Sequence, residues 1–283
     1  HLQLNEDTIW TGKPHDYSHK GAYEYLDTMR ELIAAGKQKQ AEALAMEKFM
    51  SVPLRQKAYQ PFCDLHLDFQ GLNNEEIKSY KRQLDLEQAI SSVYFEHQGV
   101  KYRREYLASY PHQGIFVHCD ADQDGMISFD ARLTSDHKNV TVTADELGII
   151  LSGEVEPGGV RFEARLAVIT DKGVLSVESE SDTVSSIRVR EADSAVIIFV
   201  GASSFINYKD ISGDPSARCQ QYLADLVNID YEQVKQEHIQ DYQKLFKTVS
   251  LSLGESDLNC PTDQRIKQFA KKADPQLAAL YFQ

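Results

Sequence analysis

The sequence is poor in cysteine, and its four, at 63, 119, 219 and 260, form no CxxC or other close pair. That spacing excludes a zinc ribbon, a redox dithiol and a disulfide scaffold, and leaves four core thiols. Positive charge is also scarce: 30 Lys and Arg stand against 43 Asp and Glu, for a formal net charge of −13. No stretch could neutralise a phosphate backbone, so neither nucleic acid nor an anionic membrane surface is an expected partner. Long hydrophobic runs are missing too. The longest, Ala195-Val196-Ile197-Ile198-Phe199-Val200, is strand-sized, far short of the roughly 20 residues of a spanning helix. The chain opens on His1-Leu2-Gln3-Leu4 with no signal peptide, so a periplasmic or extracellular location would require a leader already removed.

Tryptophan occurs once, in Asn5-Glu6-Asp7-Thr8-Ile9-Trp10-Thr11-Gly12. An indole beside amide and carboxylate groups suits a sugar-facing surface, because Trp stacks on the C–H face of a pyranose while Asn, Glu and Asp take its hydroxyls. The plainer reading is a strand-to-turn segment with Trp10 in a core and the acids capping backbone. Glycoside hydrolysis needs two carboxyls facing each other, roughly 5 to 9.5 Å apart. Glu6 and Asp7 are sequence neighbours that point to opposite sides of extended backbone, so they cannot flank one bond.

From Tyr59 onward, apolar and polar residues alternate between turn signals, as half-buried strands require. Leu65, Leu67 and Phe69 form one such run, and Val93-Tyr94-Phe95 and Val100-Lys101-Tyr102 flank a hairpin at His97-Gln98-Gly99. Runs at 127–133, 147–151, 162–168 and 187–200 follow, and Val249, Leu251 and Leu253 predict a closing strand. About a dozen strands without intervening helices predict a mainly β fold, a large antiparallel super-sandwich. Helical signals sit near the ends: 26–33 and 41–49 around Gly36, Asp214-Pro215 as N-cap and first residue, a face of Val234, His238, Tyr242 and Leu245, and N-caps at Thr262 and Asp274. The last of these runs through Leu277, Leu280, Tyr281 and Phe282 with an apolar stripe and no C-cap. We expect such a helix to dock on a further part of the protein.

Three motifs invite chemistry and fall short. Asp120 to Ser128 copies the first part of an EF-hand loop, but position twelve is Ala131 and strands flank it, so a polar hairpin turn is expected. His15-Asp16-Tyr17-Ser18-His19 has zinc-hydrolase spacing yet lies between Pro14 and Gly21, where no long helix fits. Gly201-Ala202-Ser203-Ser204-Phe205 lacks the second glycine of a nucleophile elbow.

Several segments, taken in order, resemble the N-terminal region of glycoside hydrolase family 95, the α-L-fucosidase and α-L-galactosidase family. They are Leu4 to Gly12, Tyr59 to Leu65, Leu84 to Ile90, Tyr102 to Glu105, Ala108 to Pro111, Gly158 to Phe162, Ser204 to Asp210 and Gly213 to Pro215. His238, Asp241-Tyr242, Leu245-Phe246, Pro261 to Asp263 and Leu280 to Gln283 continue the likeness. The family's usual Gly-Asp-Leu appears here as Cys63-Asp64-Leu65. The resemblance implies a super-sandwich over 1–254, then a helical linker over 255–283 leading to an (α/α)6 barrel that holds an inverting mechanism. No catalytic residue is therefore expected in this chain, nor any cofactor or metal. The expected partners are the protein's own barrel and, through it, a fucosylated oligosaccharide. Asn5, Glu6, Asp7 and Trp10 form the first candidate patch, and Asn207, Tyr208 and Asp210 the second. For both, interdomain packing and direct sugar contact remain open, and an independent carbohydrate-binding sandwich is the rival reading.

Overall fold

The computed structural model of the protein describes residues 1–282 apart from 55, 56, 182, 183, 225, 227, 257 and 258. In chain order the first strands are β1 (Leu2–Leu4), β2 (Cys63–Phe69), β3 (Lys78–Asp85), β4 (Ile90–His97), β5 (Val100–Ser109), β6 (Gly114–Ala121) and β7 (Ile127–Thr134). They are followed by β8 (Asn139–Asp145), β9 (Gly148–Glu154), β10 (Arg161–Asp171), β11 (Val174–Ser181), β12 (Val184–Ala192) and β13 (Ser194–Ser203). All pair antiparallel, in a five-stranded sheet of order β1-β2-β7-β12-β11 and an eight-stranded sheet of order β3-β4-β5-β6-β13-β10-β9-β8. Among the described residues are also six α-helices, α1 (Leu26–Ala34), α2 (Gln38–Lys48), α3 (Pro215–Ala224), α4 (Tyr231–Phe246), α5 (Thr262–Gln268) and α6 (Pro275–Phe282), and two 3-10 turns at Ala22–Tyr25 and Asn74–Glu76. The mainly β sandwich with short helices toward both ends is thus the architecture the residue pattern predicts.

Two cores lie on opposite faces of the eight-stranded sheet. Between the sheets, Leu65, Phe129, Ile149, Leu151, Phe162 and Ile197 are fully buried. Outside it, Cys219, Leu223, Tyr231 and Val234 of α3 and α4 cover Ile198, Val200 and Phe116. The two cores explain the unbroken apolar run in β13: Ile197 and Phe199 face inward while Ile198 and Val200 face the helices, so neither face meets water. Asp214 begins α3 by accepting the backbone N–H groups of Ser216 and Ala217 at 3.0 and 3.1 Å, as an N-cap should.

The structure corrects several local expectations. Val249, Leu251 and Leu253 form no strand, because alternation without a neighbouring ladder has nothing to pair with. Asp120 to Ser128 is not a hairpin: β6 lies in the larger sheet and β7 in the smaller, so the turn carries the chain between layers. Pro261 rather than Thr262 caps α5, and Leu245 is 76% exposed rather than part of the buried face of α4. Strand β3 escaped detection because it lies at a sheet edge with nearly every side chain exposed, leaving no alternation to read.

Candidate functional site at one end of the sandwich

Beyond Leu4 the chain folds across one end of the sandwich. The Glu6 carboxylate opens the turn, accepting the Thr8 backbone N–H at 2.8 Å and the Thr8 hydroxyl at 2.7 and 2.8 Å, a short-range pattern that acids favour in turns. Partial burial raises the Glu6 carboxyl above its ordinary value, and the Thr8 bonds pull against that rise. Thr8 is also hydrogen-bonded through its hydroxyl to the Ser203 hydroxyl at the end of β13. Alternation then buries Ile9 completely and turns Trp10 outward, 43% exposed. The reading of Trp10 as a core residue therefore fails, since Ile9 takes that place.

Tyr59 fixes the indole from the other side. Its ring meets Trp10 edge-on, with centroids 5.2 Å apart at 63°, and its hydroxyl donates to the Glu6 carbonyl at 3.0 Å. The Trp10 indole N–H donates to the Asp7 carbonyl at 2.8 Å, while the Asp7 side chain stays in solvent. Gly12, at φ +92°, donates its N–H to Glu156 at 2.7 Å. That left-handed backbone suits glycine.

Asn207 and Asp210 face each other in an isolated antiparallel bridge. Asn207 Oδ1 accepts the N–H of Lys209 and Asp210 Oδ1 that of Ser212, each at 2.9 Å. The bonds from Ser212 hold the Asp210 carboxyl below its usual value. Both side chains are thus engaged in turn geometry. Arg218 of α3 links the two patches, donating to the carbonyls of Ser203 and Phe205 at 2.8 and 3.0 Å and placing its charge where Glu6 feels it.

Beside this junction lies a surface cavity of about 330 Å³, with Asn5, Glu6, Tyr110 and Gln113 at its rim and Phe62, Phe199 and Gly201 in its floor. A Cβ on Gly201 would lie 2.3 Å from the Phe62 ring, so the packing of Phe62 demands glycine there. The cavity gathers Asn5 and Glu6 with the tip of the β5–β6 hairpin. Tyr59, Glu156, Ser203 and Arg218 escaped sequence reasoning as partners of Asn5 to Gly12, because they arrive from four other segments and no local window joins them to it, although Ser203 lies in the elbow-like Gly201 to Phe205.

The arrangement can hold a segment rigidly and present aromatic and polar surface. It does not set an acid against a base, since the Glu6 carboxylate is bonded within its own turn and Asp7 points to solvent. The EF-hand-like stretch is likewise engaged: Arg103 donates to Asp120 at 2.6 Å and Lys101 N–H to Asp122 at 2.9 Å. His15 to His19 is loop, with His15 Nε2 2.9 Å from the Val52 carbonyl.

Comparison with known proteins adds what the geometry leaves open. Residues 1–208 match the family described as "Glycosyl hydrolase family 65, N-terminal domain", and residues 230–283 match "Glycosyl hydrolase family 95 catalytic domain". The chain is 30% identical to Alpha-L-fucosidase 2 of Arabidopsis thaliana over all of its length and 37% of that protein. It is 25% identical to Probable alpha-fucosidase A of Aspergillus niger over 99% of its length and again 37% of the relative. The chain therefore spans little more than a third of either relative. Among solved structures, one from the human microbiome named for kojibiose phosphorylase aligns with 68% of this chain and 29% of its own, at 10% identity and a TM-score of 0.46.

Proposed function

Because this chain belongs to the family of glycosyl hydrolase family 65 N-terminal domains, and runs on into residues that match a family 95 catalytic domain, we propose that it is the non-catalytic β-sandwich portion of an inverting, α-L-fucosidase-like hydrolase. The observation that carries this reading is the succession of the two matches along one chain, with both curated relatives named as fucosidases. On this reading residues 1–254 form the sandwich and 255–283 begin a helical linker to a catalytic barrel. Cleavage of a fucosylated oligosaccharide belongs to the barrel.

The end of the sandwich bearing Asn5 to Gly12 and Asn207 to Asp210 packs against that barrel and closes one wall of its pocket. Support comes from the exposed aromatics there, Trp10 at 43%, Tyr59 at 42%, Tyr110 at 78% and Tyr208 at 73%, more than a free surface needs. At the other extreme of the chain, Tyr281 and Phe282 of α6 are 94% and 61% exposed. They dock on the same following domain.

The test is hydrolysis of an aryl α-L-fucoside. The full-length protein turns it over and the present chain does not; turnover by the chain alone would remove the catalytic step from the barrel. The held, half-exposed Trp10–Tyr59 pair favours a second reading, an independent carbohydrate-binding module. Titration with fucosylated oligosaccharides decides between them: saturable quenching of Trp10 fluorescence supports binding, and a flat response supports the packing role.

A further inference from the structure

On the outer face of the five-stranded sheet, the register brings together residues that are distant in sequence. β1 pairs with β2 so that Leu2 lies opposite Leu65 and Gln3 opposite Asp64, which places His1 opposite His66. Leu65 is fully buried in the core, and successive side chains alternate between faces. His1, Asp64 and His66 therefore share the solvent side. The two imidazoles lie nearly parallel, centroids 4.8 Å apart at 15°, and His1 Nε2 is 3.3 Å from Asp64 Oδ1. One ligand atom from each of the three lies within 4.8 Å of the others.

We propose that His1, Asp64 and His66 bind a divalent transition-metal ion such as Zn²⁺. Two imidazoles and one carboxylate make a borderline-soft donor set, matched to zinc and its neighbours rather than to Ca²⁺ or Mg²⁺, which take oxygen ligands. Bond lengths of roughly 2.0 to 2.2 Å would require the three atoms to draw in to about 3.4 Å of each other. Rotation of surface side chains covers that difference, and water fills the fourth position. His66 Nε2 already lies 3.0 Å from the Thr134 hydroxyl on the next strand, which holds the ring through one nitrogen and leaves the other for an ion. Arg132, opposite His66 in the ladder, is turned to Asp68 at 3.2 Å, so its charge is countered beside the site. A protonated His1 paired with Asp64 accounts for one contact only. It leaves unexplained a second imidazole stacked on the first.

Isothermal titration of the chain with ZnCl₂ tests the proposal, with Co²⁺ absorption reporting the coordination. Saturable one-to-one uptake is expected. His66→Ala and Asp64→Ala should abolish it or weaken it strongly, Thr134→Val should weaken it by roughly tenfold, and His137→Ala should leave it unchanged. All four positions lie at the surface or rim, and near-ultraviolet circular dichroism checks that each variant stays folded. A version acetylated at the N-terminus removes the terminal amine as a rival ligand and must bind equally. Absence of saturable uptake, or uptake undiminished in His66→Ala and Asp64→Ala, overturns the proposal.

Discussion

The eight-stranded sheet is covered on its two faces by different chemistry. Inward it meets the smaller sheet through hydrocarbon and aromatic rings, with Phe62 edge-on to Phe162 and Phe199 at 5.7 and 5.9 Å, and its cation there, the half-buried Arg104, lies over the Phe69 ring at 3.4 Å rather than in an ion pair with the other sheet. Outward it meets α3 and α4 through apolar contacts interrupted by charge. Glu105, 5% exposed, accepts from Lys235 of α4 at 2.8 and 3.0 Å and from the Tyr231 hydroxyl at 3.4 Å. Arg165, 6% exposed, donates to Glu163 at 2.7 Å and to Ser216 of α3 at 3.2 Å. Burying apolar area is non-directional and suits two sheets whose register the ladders already fix. A helix on a sheet has no ladder, and paired buried charges supply the address that hydrocarbon cannot.

The largest expected effect breaks the inner face. Phe62→Ala removes a fully buried ring seated on Gly201 and should cost about 3–5 kcal/mol in urea unfolding. Next comes the outer face: Lys235→Met leaves the Glu105 carboxylate short of its main partner and should cost about 2–3 kcal/mol. A double variant with Glu105→Leu should recover most of that loss, and if it does not, the pair contributes stability beyond placing the helix.

A smaller effect separates the end of the sandwich from both faces. Burial raises the folded-state value of Glu6 above the unfolded one, so its contribution is full below the unfolded carboxylate value and declines as pH rises through the folded value. The melting temperature of Glu6→Gln relative to the parent should therefore climb between pH 4 and pH 7. A difference that stays level would mean that the Thr8 bonds already cancel the burial.

The last prediction concerns dryness rather than stability. Cys119 of the inner core and Cys219 of the outer are both pushed up to about 12 by burial, despite the unlike chemistry around them. Neither should react with a thiol reagent in the native protein, whereas Cys260, which the structure leaves partly exposed near α5 rather than in a core as its spacing suggested, should react. Labelling of Cys219 but not Cys119 would show that the helices open where the sheets do not.

Much of the fold was legible because strands with one wet and one dry face write their period into the chain, as in Leu65-His66-Leu67-Asp68-Phe69. β3 was not, since an edge strand without a buried face writes nothing. The Asn5 to Gly12 segment announced itself through Trp10 and its polar neighbours. Its partners Ser203 and Arg218 did not, because contacts between distant segments obey register and packing, which no local window contains. The His1, Asp64 and His66 grouping was hidden in the same way: Asp64-Leu65-His66 shows the period-two spacing, but the second histidine lies just ahead of β1, some sixty residues away in sequence.

One feature of the N-terminal segment bears on how the chain tolerates change. Thr11 N–H donates to the Ala58 carbonyl and Ala58 N–H to the Thr11 hydroxyl, both at 2.9 Å, and Trp10 bridges to Tyr59 directly below. Among the described residues between, α1 and α2 hang from a closed neck and bury a single residue, Ala41. Closing a flexible loop costs only about 0.6 kcal/mol more for each doubling of its length. The helical excursion can therefore change in length with little penalty to the sandwich while the neck keeps its register.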